Sequence, residues 1–410
     1  MAATRILIVS NGPLCRNPRV GKEATTLGQA GYMVTVLIVR DHAASEIHDL
    51  NLLCAAPFKR VTVDLLPNVG TASAVVFWRR LRLWVARKLT RFPFFRSIHS
   101  LGPAAALLSA ARRHPADLTI VHNEIAHWVG TKLIKDGRRV AADIEDWHSE
   151  DLLPAARKLR PLRLLRDVEC SLLHHAIHTT TTSQALATAL FARYGGRRPA
   201  VLSNSFPLQP QRPHDRTAVL PAFFWFSQTL GPGRGIEPFV AAWCQMRQPS
   251  RLVLLGEDAG TFRTQMFQSV PDRLHPHLEF LDLVPAENLP DIIARHDIGL
   301  ALELAEIPNR DLTITNKILQ YLNAGLAVVA TDTRGQREVL AHAPGAGILI
   351  SLDEPAALAR HLDDFIADRQ QLAVRQQAAR QLATDRYCWE LESPGLLALV
   401  AAALIEAKLP

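Results

Sequence analysis

The sequence predicts an α/β protein built from two Rossmann-like β/α/β domains that face a central cleft. Three observations predict it. Short β-branched or apolar runs alternate with helical patterns along the whole chain, and that alternation makes βαβ units on a parallel sheet. The chain is 410 residues long, more than one core organises, so two domains are expected. A proline-rich stretch, Phe206-Pro207-Leu208-Gln209-Pro210-Gln211-Arg212-Pro213, lies near the middle, and the β/α pattern restarts after it. The expected division is residues 1–205, residues 206–385, and a closing helix over residues 386–410.

In the first half the expected strands are Ile6–Ser10, Val34–Val39, Val61–Leu65, Leu118–His122, Val140–Ile144, Ile177–Thr182 and Val201–Asn204. Amphipathic helices separate them. In Pro18–Ala30, Asn17 is placed to cap and Pro18 takes the first helical position. Val20, Ala24 and Leu27 share one face, and Gly31 stops the helix. The second half offers Phe223–Ser227, Leu252–Gly256, Leu278–Leu281, Ile298–Leu302, Leu326–Ala330 and Gly347–Ile350. The apolar run Leu396–Leu404 supplies the last helix.

Composition sets limits. The chain is 48% hydrophobic and 21% charged, a globular balance. Its formal charge of +7 favours anionic partners such as nucleotide phosphates or lipid headgroups. No nucleic-acid module accompanies that charge, and none is expected to bind. The chain begins directly with a strand, so no signal peptide is expected, and no apolar run is long enough to span a bilayer. The cysteines, Cys15, Cys54, Cys170, Cys244 and Cys388, are odd in number and lack metal-ligand spacing. That fits a reducing cytoplasm and argues against zinc or a disulfide framework.

The most informative stretch runs from Thr315 to Asp332. Thr315 opens a helix, Asn316 and Lys317 fill its first turn, and Gly325 ends it. A buried strand follows, with Thr331 and Asp332 at its carboxyl end. A lysine at a helix N-terminus opposes the helix dipole unless an anion neutralises both, so this is a phosphate candidate. Gln320 lies one turn on. After the first strand of the second half comes Gly231-Pro232-Gly233-Arg234-Gly235. Gly233 and Gly235 expose backbone donors, and Arg234 adds a forked cation suited to phosphate. The plainer readings are a solvated lysine and a flexible turn. In the first half, Asn11 and Gly12 follow strand one, and His122, Glu124 and His127 follow another strand. With the acids of Asp143–Glu150 they make a polar wall, or simply βα turns with capping carboxylates. Residues 77–96 carry seven cations and no acid, with Phe77, Leu81, Trp84, Val85 and Leu89 near helical spacing. This suits an interfacial helix on an anionic membrane. The alternative is a long helix with its aromatic face against the core.

Taken together these residues resemble the retaining glycosyltransferases of the GT-B fold, most closely glycosyltransferase family 4 (group 1). The resemblance rests on Asn17-Pro18-Arg19-Val20 with Lys22-Glu23-Ala24 and Gly31-Tyr32-Met33-Val34, on the Gly231–Gly235 loop and on Asp297–Leu302. It rests also on Asn316–Gly325 and on Thr331–Val339. It implies a nucleotide-sugar donor held by the second domain, with Arg234 and Lys317 stabilising the departing diphosphate. Gly233, Gly235, Thr315, Asn316, Gln320, Thr331 and Asp332 would bind the donor. Asn11, Gly12, His122, Glu124 and His127 would lie on the acceptor side. The acceptor would be a glycan or lipid-linked envelope molecule, the anomeric configuration would be retained, and neither metal nor cofactor would be needed.

The chain also departs from the family. The glutamate that commonly binds the donor ribose falls at Gln320, and the one that commonly touches the sugar falls at Leu312. Glu303, Glu306 and Asp311 lie nearby as substitutes. The family's arginine before the basic-Gly pair falls at Thr229. These departures keep two rivals in view: a catalytically silent sugar-nucleotide-binding relative and a nucleotide-sugar epimerase. A cytoplasmic location, peripheral on the inner face of the membrane, follows from the same reading.

Overall fold

The computed structural model of the chain describes residues 3–67, 71–210, 220–258 and 260–405. Gln211, Arg212 and Pro213 of the expected linker lie outside the described residues. The chain divides into two compact units, Met1–Leu202 with Ser393–Pro410, and Ser203–Glu392.

The first unit holds β1 (Arg5–Val9), β2 (Met33–Arg40), β3 (Phe58–Asp64), β4 (Leu118–His122), β5 (Val140–Ile144), β6 (Thr179–Thr181) and β7 (Ala200–Val201). They form one sheet in the order β3-β2-β1-β4-β5-β6-β7, with every neighbouring pair parallel. Ile6, Leu7, Ile8 and Val9 are all buried. A strand covered on both faces needs such a continuous apolar run rather than an alternating one. The helix Pro18–Gln29 buries Val20, Ala24 and Leu27, as their spacing requires. Asn17 does not cap it. Its amide instead donates to Ser10 Oγ (2.8 Å) and Asn123 Oδ1 (3.2 Å), tying the turn after β1 to the turn after β4.

The second unit repeats the plan with β8 (Ala222–Leu230), β9 (Arg251–Asp258), β10 (Leu278–Leu281), β11 (Ile298–Ala301), β12 (Ala327–Thr331) and β13 (Gly347–Ile350). Their order is β10-β9-β8-β11-β12-β13, again all parallel. Both sheets therefore reverse their winding beside the first strand, between β1 and β4 and between β8 and β11. Chains leave such a reversal in opposite directions, and the crevice at the strands' carboxyl ends is where doubly wound sheets bind ligands.

The C-terminal segment corrects the expected division. The helix Trp389–Ile405 is not a separate closing element. Its residues from Ser393 onward belong to the first unit, where Leu396, Val400 and Ala403 are buried, while 386–392 stay with the second. Gly395 shows how close the packing is, since a Cβ there would lie 3.1 Å from the Leu202 methyl. No helix among the described residues is long and apolar enough to cross a membrane.

The helix Ser73–Leu89 buries only Val76. Phe77, Trp78, Trp84 and Val85 are exposed, and so are Phe92, Phe94 and Phe95 beyond it, Phe94 to 98%. This overturns the reading in which the aromatic face of residues 77–96 packs on the core.

One close approach fixes the helix that carries Lys317. The helix Asn316–Ala324 buries Ile318, Leu319, Tyr321 and Leu322 and ends at Gly325 in the left-handed conformation (φ 75°). Tyr321 lies flat over Gly299 of β11, where any Cβ would collide with its ring, and its hydroxyl donates to Leu300 O at 3.2 Å. Gly299→Ala should therefore push the helix off the sheet and destabilise the protein by about 1–3 kcal/mol. Denaturant unfolding checks this, and wild-type stability would remove the packing argument.

Candidate functional site

In the second unit the crevice between β8 and β11 is lined by the loop after β8, the segment after β11 and the start of the helix Asn316–Ala324. Gly233 and Gly235 in the first loop both hold positive φ (73° and 76°). At Gly235 this is required twice over, because a Cβ would also meet the backbone of Leu302 at 2.9 Å. The loop is thus drawn tightly against the end of β11, and Arg234 is carried on its tip.

Three cations meet there around one carboxylate. Lys317 Nζ donates to Glu303 Oε1 at 2.7 Å, and its ammonium lies 5.7 Å from the Trp225 ring centre. Arg234 Nη1 donates to Ser227 Oγ at 3.0 Å. Arg310 Nη1 donates to Gly233 O at 3.2 Å. Burial opposes charge on Glu303, but Lys317 first, then Arg310 and Arg234, hold its carboxyl below the usual range. Burial and then the like charge of Arg310 pull Arg234 down, while Glu303 offsets only part of this. Both guanidiniums donate to neutral oxygens, so positive charge is left in excess. An anion placed among them would relieve the repulsion and gain charge-assisted hydrogen bonds.

Glu303 is held firmly. Its backbone N–H donates to Thr331 Oγ1 (2.9 Å), and the Thr331 hydroxyl returns to Glu303 O (2.6 Å). Gln336 closes the knot by donating to Thr331 O (2.8 Å). Thr331, expected to meet the donor, is thus turned inward and fixes the backbone of Glu303. Asp332 is exposed and paired with Arg337 (2.7 Å). Thr315 stands at the N-cap position of the Lys317 helix, but its hydroxyl makes no cap. Thr315 Oγ1 and Gln320 Oε1 are both buried and unpartnered. Buried polar atoms without partners are costly, which makes these two open acceptors for a ligand. Asn316 is half-buried in the first turn.

The segment from Glu303 to Thr313 is more regular than its sequence suggests. It contains the short helix Pro308–Leu312, anchored by Thr313 Oγ1 to Asn309 O (2.7 Å) and by Asp311 to Arg334 (2.7 Å). That helix turns Leu312 into the core. Among the segment's acids Glu303 is the one paired with Lys317 and near Arg310 and Arg234. Arg310 was missed by sequence reasoning. It lies in a five-residue helix with no motif around it, and only the fold brings it to Gly233.

In the first unit, Asn11 and Gly12 are half-buried at the β1–β4 reversal, beside Asn123. Asn123 has a left-handed backbone (φ 66°), rare for a side-chain-bearing residue, and its Oδ1 accepts from Ser10 Oγ at 2.8 Å. Glu124 is half-buried and pairs with Arg160 (2.9 Å) and His148 (3.3 Å). His122 and His127 are not available to an acceptor, because both are buried. His127 Nε2 lies 2.7 Å from Asp143 O; burial, then His148, push its ring down to about 3. His122 sits in a buried ionic cluster, 3.1 Å from Glu23 and 3.2 Å from Asp143. Arg19 grips both oxygens of Asp143, at 2.6 and 2.8 Å, and also nears Glu23 at 3.4 Å. Glu23, His122 and Asp143 are close enough together to hold a metal ion. The Arg19 guanidinium already occupies that charge, so the donor set fits an ion poorly.

With this geometry in hand, residues 222–368 match the family described as Glycosyl transferases group 1. No match was found among curated protein sequences. Among solved structures, Anabaena HepE in complex with UDP-glucose is 18% identical, with 97% of this chain and 99% of that chain covered, at a TM-score of 0.70. Sucrose-phosphate synthase from Thermosynechococcus elongatus is 15% identical over 99% and 100% of the two chains, at 0.71. WaaG, a glycosyltransferase involved in lipopolysaccharide biosynthesis, is 14% identical over 97% and 99%, at 0.58. Likeness at these identities shows the fold: two parallel-sheet α/β units of the GT-B type.

The buried cluster of the first unit yields a pH prediction. Burial works against charge on His122, but Glu23 and Asp143 outweigh it and push the ring up to about 10. Its folded value lies above the unfolded one, so its stabilisation is full below about 6.5 and is lost as pH rises toward 10. His122→Gln should cost about 3–5 kcal/mol near neutrality, as loss of one partner of a buried pair does. That deficit should shrink as urea unfolding is repeated up to pH 10; a constant deficit would mean the ring is neutral.

Proposed function

We propose that the protein is a glycosyltransferase that moves a sugar from a nucleotide-sugar donor to a glycan or lipid-linked acceptor, with retention and without a metal. The observation that carries this reading is the surplus of positive charge at the β8–β11 reversal. Arg234 stands in the loop after β8 and Lys317 in the first turn of the helix Asn316–Ala324, and the matched family model spans both. The HepE structures hold UDP and UDP-glucose, which makes a UDP-sugar the first donor to test.

In the proposed reaction the bond between the anomeric carbon and the diphosphate oxygen breaks as the acceptor oxygen bonds to that carbon. The acceptor's proton passes to the departing diphosphate, as in the retaining enzymes the chain resembles, and no protein base is assigned. The protein's part is electrostatic. Negative charge grows on the diphosphate as the bond breaks, so Arg234, Lys317 and the helix N-terminus bind the transition state more strongly than the ground state. These cations do the work that a divalent ion does elsewhere. Gln320 Oε1, buried and unpartnered, is placed to accept from a donor hydroxyl such as the ribose's. A silent relative would bind the nucleotide equally well, so turnover, not binding, separates the two. Glu124, Asn11 and Gly12 remain the proposed acceptor-side groups.

The acceptor reading is joined by a membrane surface. Residues 77–96 combine seven cations and no acid with exposed Phe77, Trp78, Trp84, Phe94 and Phe95. Aromatic rings that enter the headgroup region beside arginines that meet its phosphates are what an anionic bilayer recognises. This supports a peripheral location on the cytoplasmic face.

Arg234→Ala and Lys317→Ala should each lower kcat/KM by about 10–100-fold or more, the worth of a charge-assisted contact of roughly 1.5–3 kcal/mol. Circular dichroism of each variant should stay native, because Arg310 remains beside Glu303. Wild-type turnover in both would sink the diphosphate assignment. For the membrane surface, the protein should float with vesicles containing phosphatidylglycerol, weakly at high salt, and not with neutral vesicles. Trp78→Ser with Phe94→Ser should abolish flotation; no binding by the wild type removes the proposal.

A further inference from the structure

We infer that Arg310 is a direct diphosphate ligand of the proposed nucleotide-sugar site, paired with Arg234 as a two-guanidinium clamp. The inference rests on the nucleotide-sugar reading and adds a residue that the resemblance does not supply.

Four observations carry it. Arg310 is half-buried and its guanidinium reaches Gly233 O, so it stands against the tip of the loop whose next residue is Arg234. Its charge opposes that of Arg234 and favours the carboxylate of Glu303, as its contact with the neighbouring Gly233 leads one to expect. Its helix is held in place independently, by Asn309 with Thr313 and by Asp311 with Arg334, so its position does not depend on a ligand. Lys317 is already committed to Glu303 at 2.7 Å, which leaves Arg234 and Arg310 as the cluster's two cations without a carboxylate partner among the ion pairs of the described residues. A sugar nucleotide carries two negative charges on its diphosphate, one per phosphate. Two guanidiniums side by side match that charge and, being planar forks, can each take two oxygens. Arg310 uses one amino group on Gly233 O, and a guanidinium has further N–H donors to offer.

This arrangement also gives Lys317 a distinct part. Held by Glu303, it becomes most valuable when the diphosphate gains a further charge on losing the sugar. The clamp therefore governs binding of the diphosphate, and Lys317 governs its departure.

The experiment is calorimetric titration with UDP, GDP and ADP and their monophosphates, on the full chain, for wild type, Arg310→Ala, Arg310→Lys, Arg234→Ala and Lys317→Ala. For the diphosphate that the wild type binds best, Arg310→Ala should weaken binding about 10–100-fold and the matching monophosphate less than about threefold. Arg310→Lys should recover part of the loss, since it restores charge but not the fork. Equal loss for mono- and diphosphate, with no recovery by lysine, would reduce Arg310 to a prop for the Gly233 loop and overturn the inference. Unchanged binding in Arg310→Ala, with losses in Arg234→Ala and Lys317→Ala, would overturn it while leaving the proposed function intact. Failure of the wild type to bind any nucleoside diphosphate would overturn both.

Discussion

Strand order constrains everything else in this protein. Each parallel sheet winds outward one way from its first strand and then the other, so loops leaving β1 and β4, or β8 and β11, diverge and cannot fill the space between them. Parallel strands also end with their carbonyls and following helices at the same edge. Helix N-termini gather there with their free N–H groups. The edge is thus prepared for anions before any side chain is chosen, and the side chains decide whether that preparation is used.

The two units use it in opposite ways. At the β1–β4 reversal the charges are buried and matched. Arg19 and His122 face Glu23 and Asp143, all four at 2% exposure or less. Such a cluster is satisfied within the protein and anchors the helix Pro18–Gln29 to the ends of β4 and β5. Removing one member would strand the others, which is why this kind of network fixes geometry more than it adds stability. At the β8–β11 reversal the charges are half-buried and unmatched, with Arg234, Arg310 and Lys317 around Glu303 alone. Burial and then the repulsion of Arg310 lower Arg234, and an anion bound beside them would relieve that repulsion. The first arrangement makes a scaffold, and the second is the one proposed as a site.

Much of this was legible in the sequence because it depends on local pattern. The β/α alternation, the apolar runs of both sheets, the left-handed Gly325 and the placement of Arg234 and Lys317 all follow from periodicity and turn chemistry. What was not legible depends on distant partners. His122 and His127 read as polar groups at a strand end, yet Glu23 and Asp143 draw His122 inward and the Asp143 carbonyl holds His127. Thr315 and Asn17 have capping residue types in capping positions, but their side chains cap nothing; Asn17 is claimed by Ser10 and Asn123. Arg310 has no pattern of its own at all. The closing helix was found, but a helix does not announce which core its apolar face will join.

The missing glutamate shows why spacing alone misleads in this segment. Counting from Gln320 puts the position that the resemblance would assign to the sugar at Leu312, but the turn of helix from Pro308 to Leu312 leaves that side chain buried. A carboxylate there would be taken out of water, at a cost of several kcal/mol unless a partner met it. Leucine at 312 is therefore a consequence of the local fold and not evidence that the site is dead. Of the nearby acids, Glu306 is exposed and Asp311 is taken by Arg334. Glu303, two residues past β11 and pinned there by Thr331, is the carboxylate that the fold delivers to the cations. By tying the backbone of Glu303 to Thr331, the last residue of β12, the chain anchors that carboxylate to the edge of the sheet although it stands in the segment after β11.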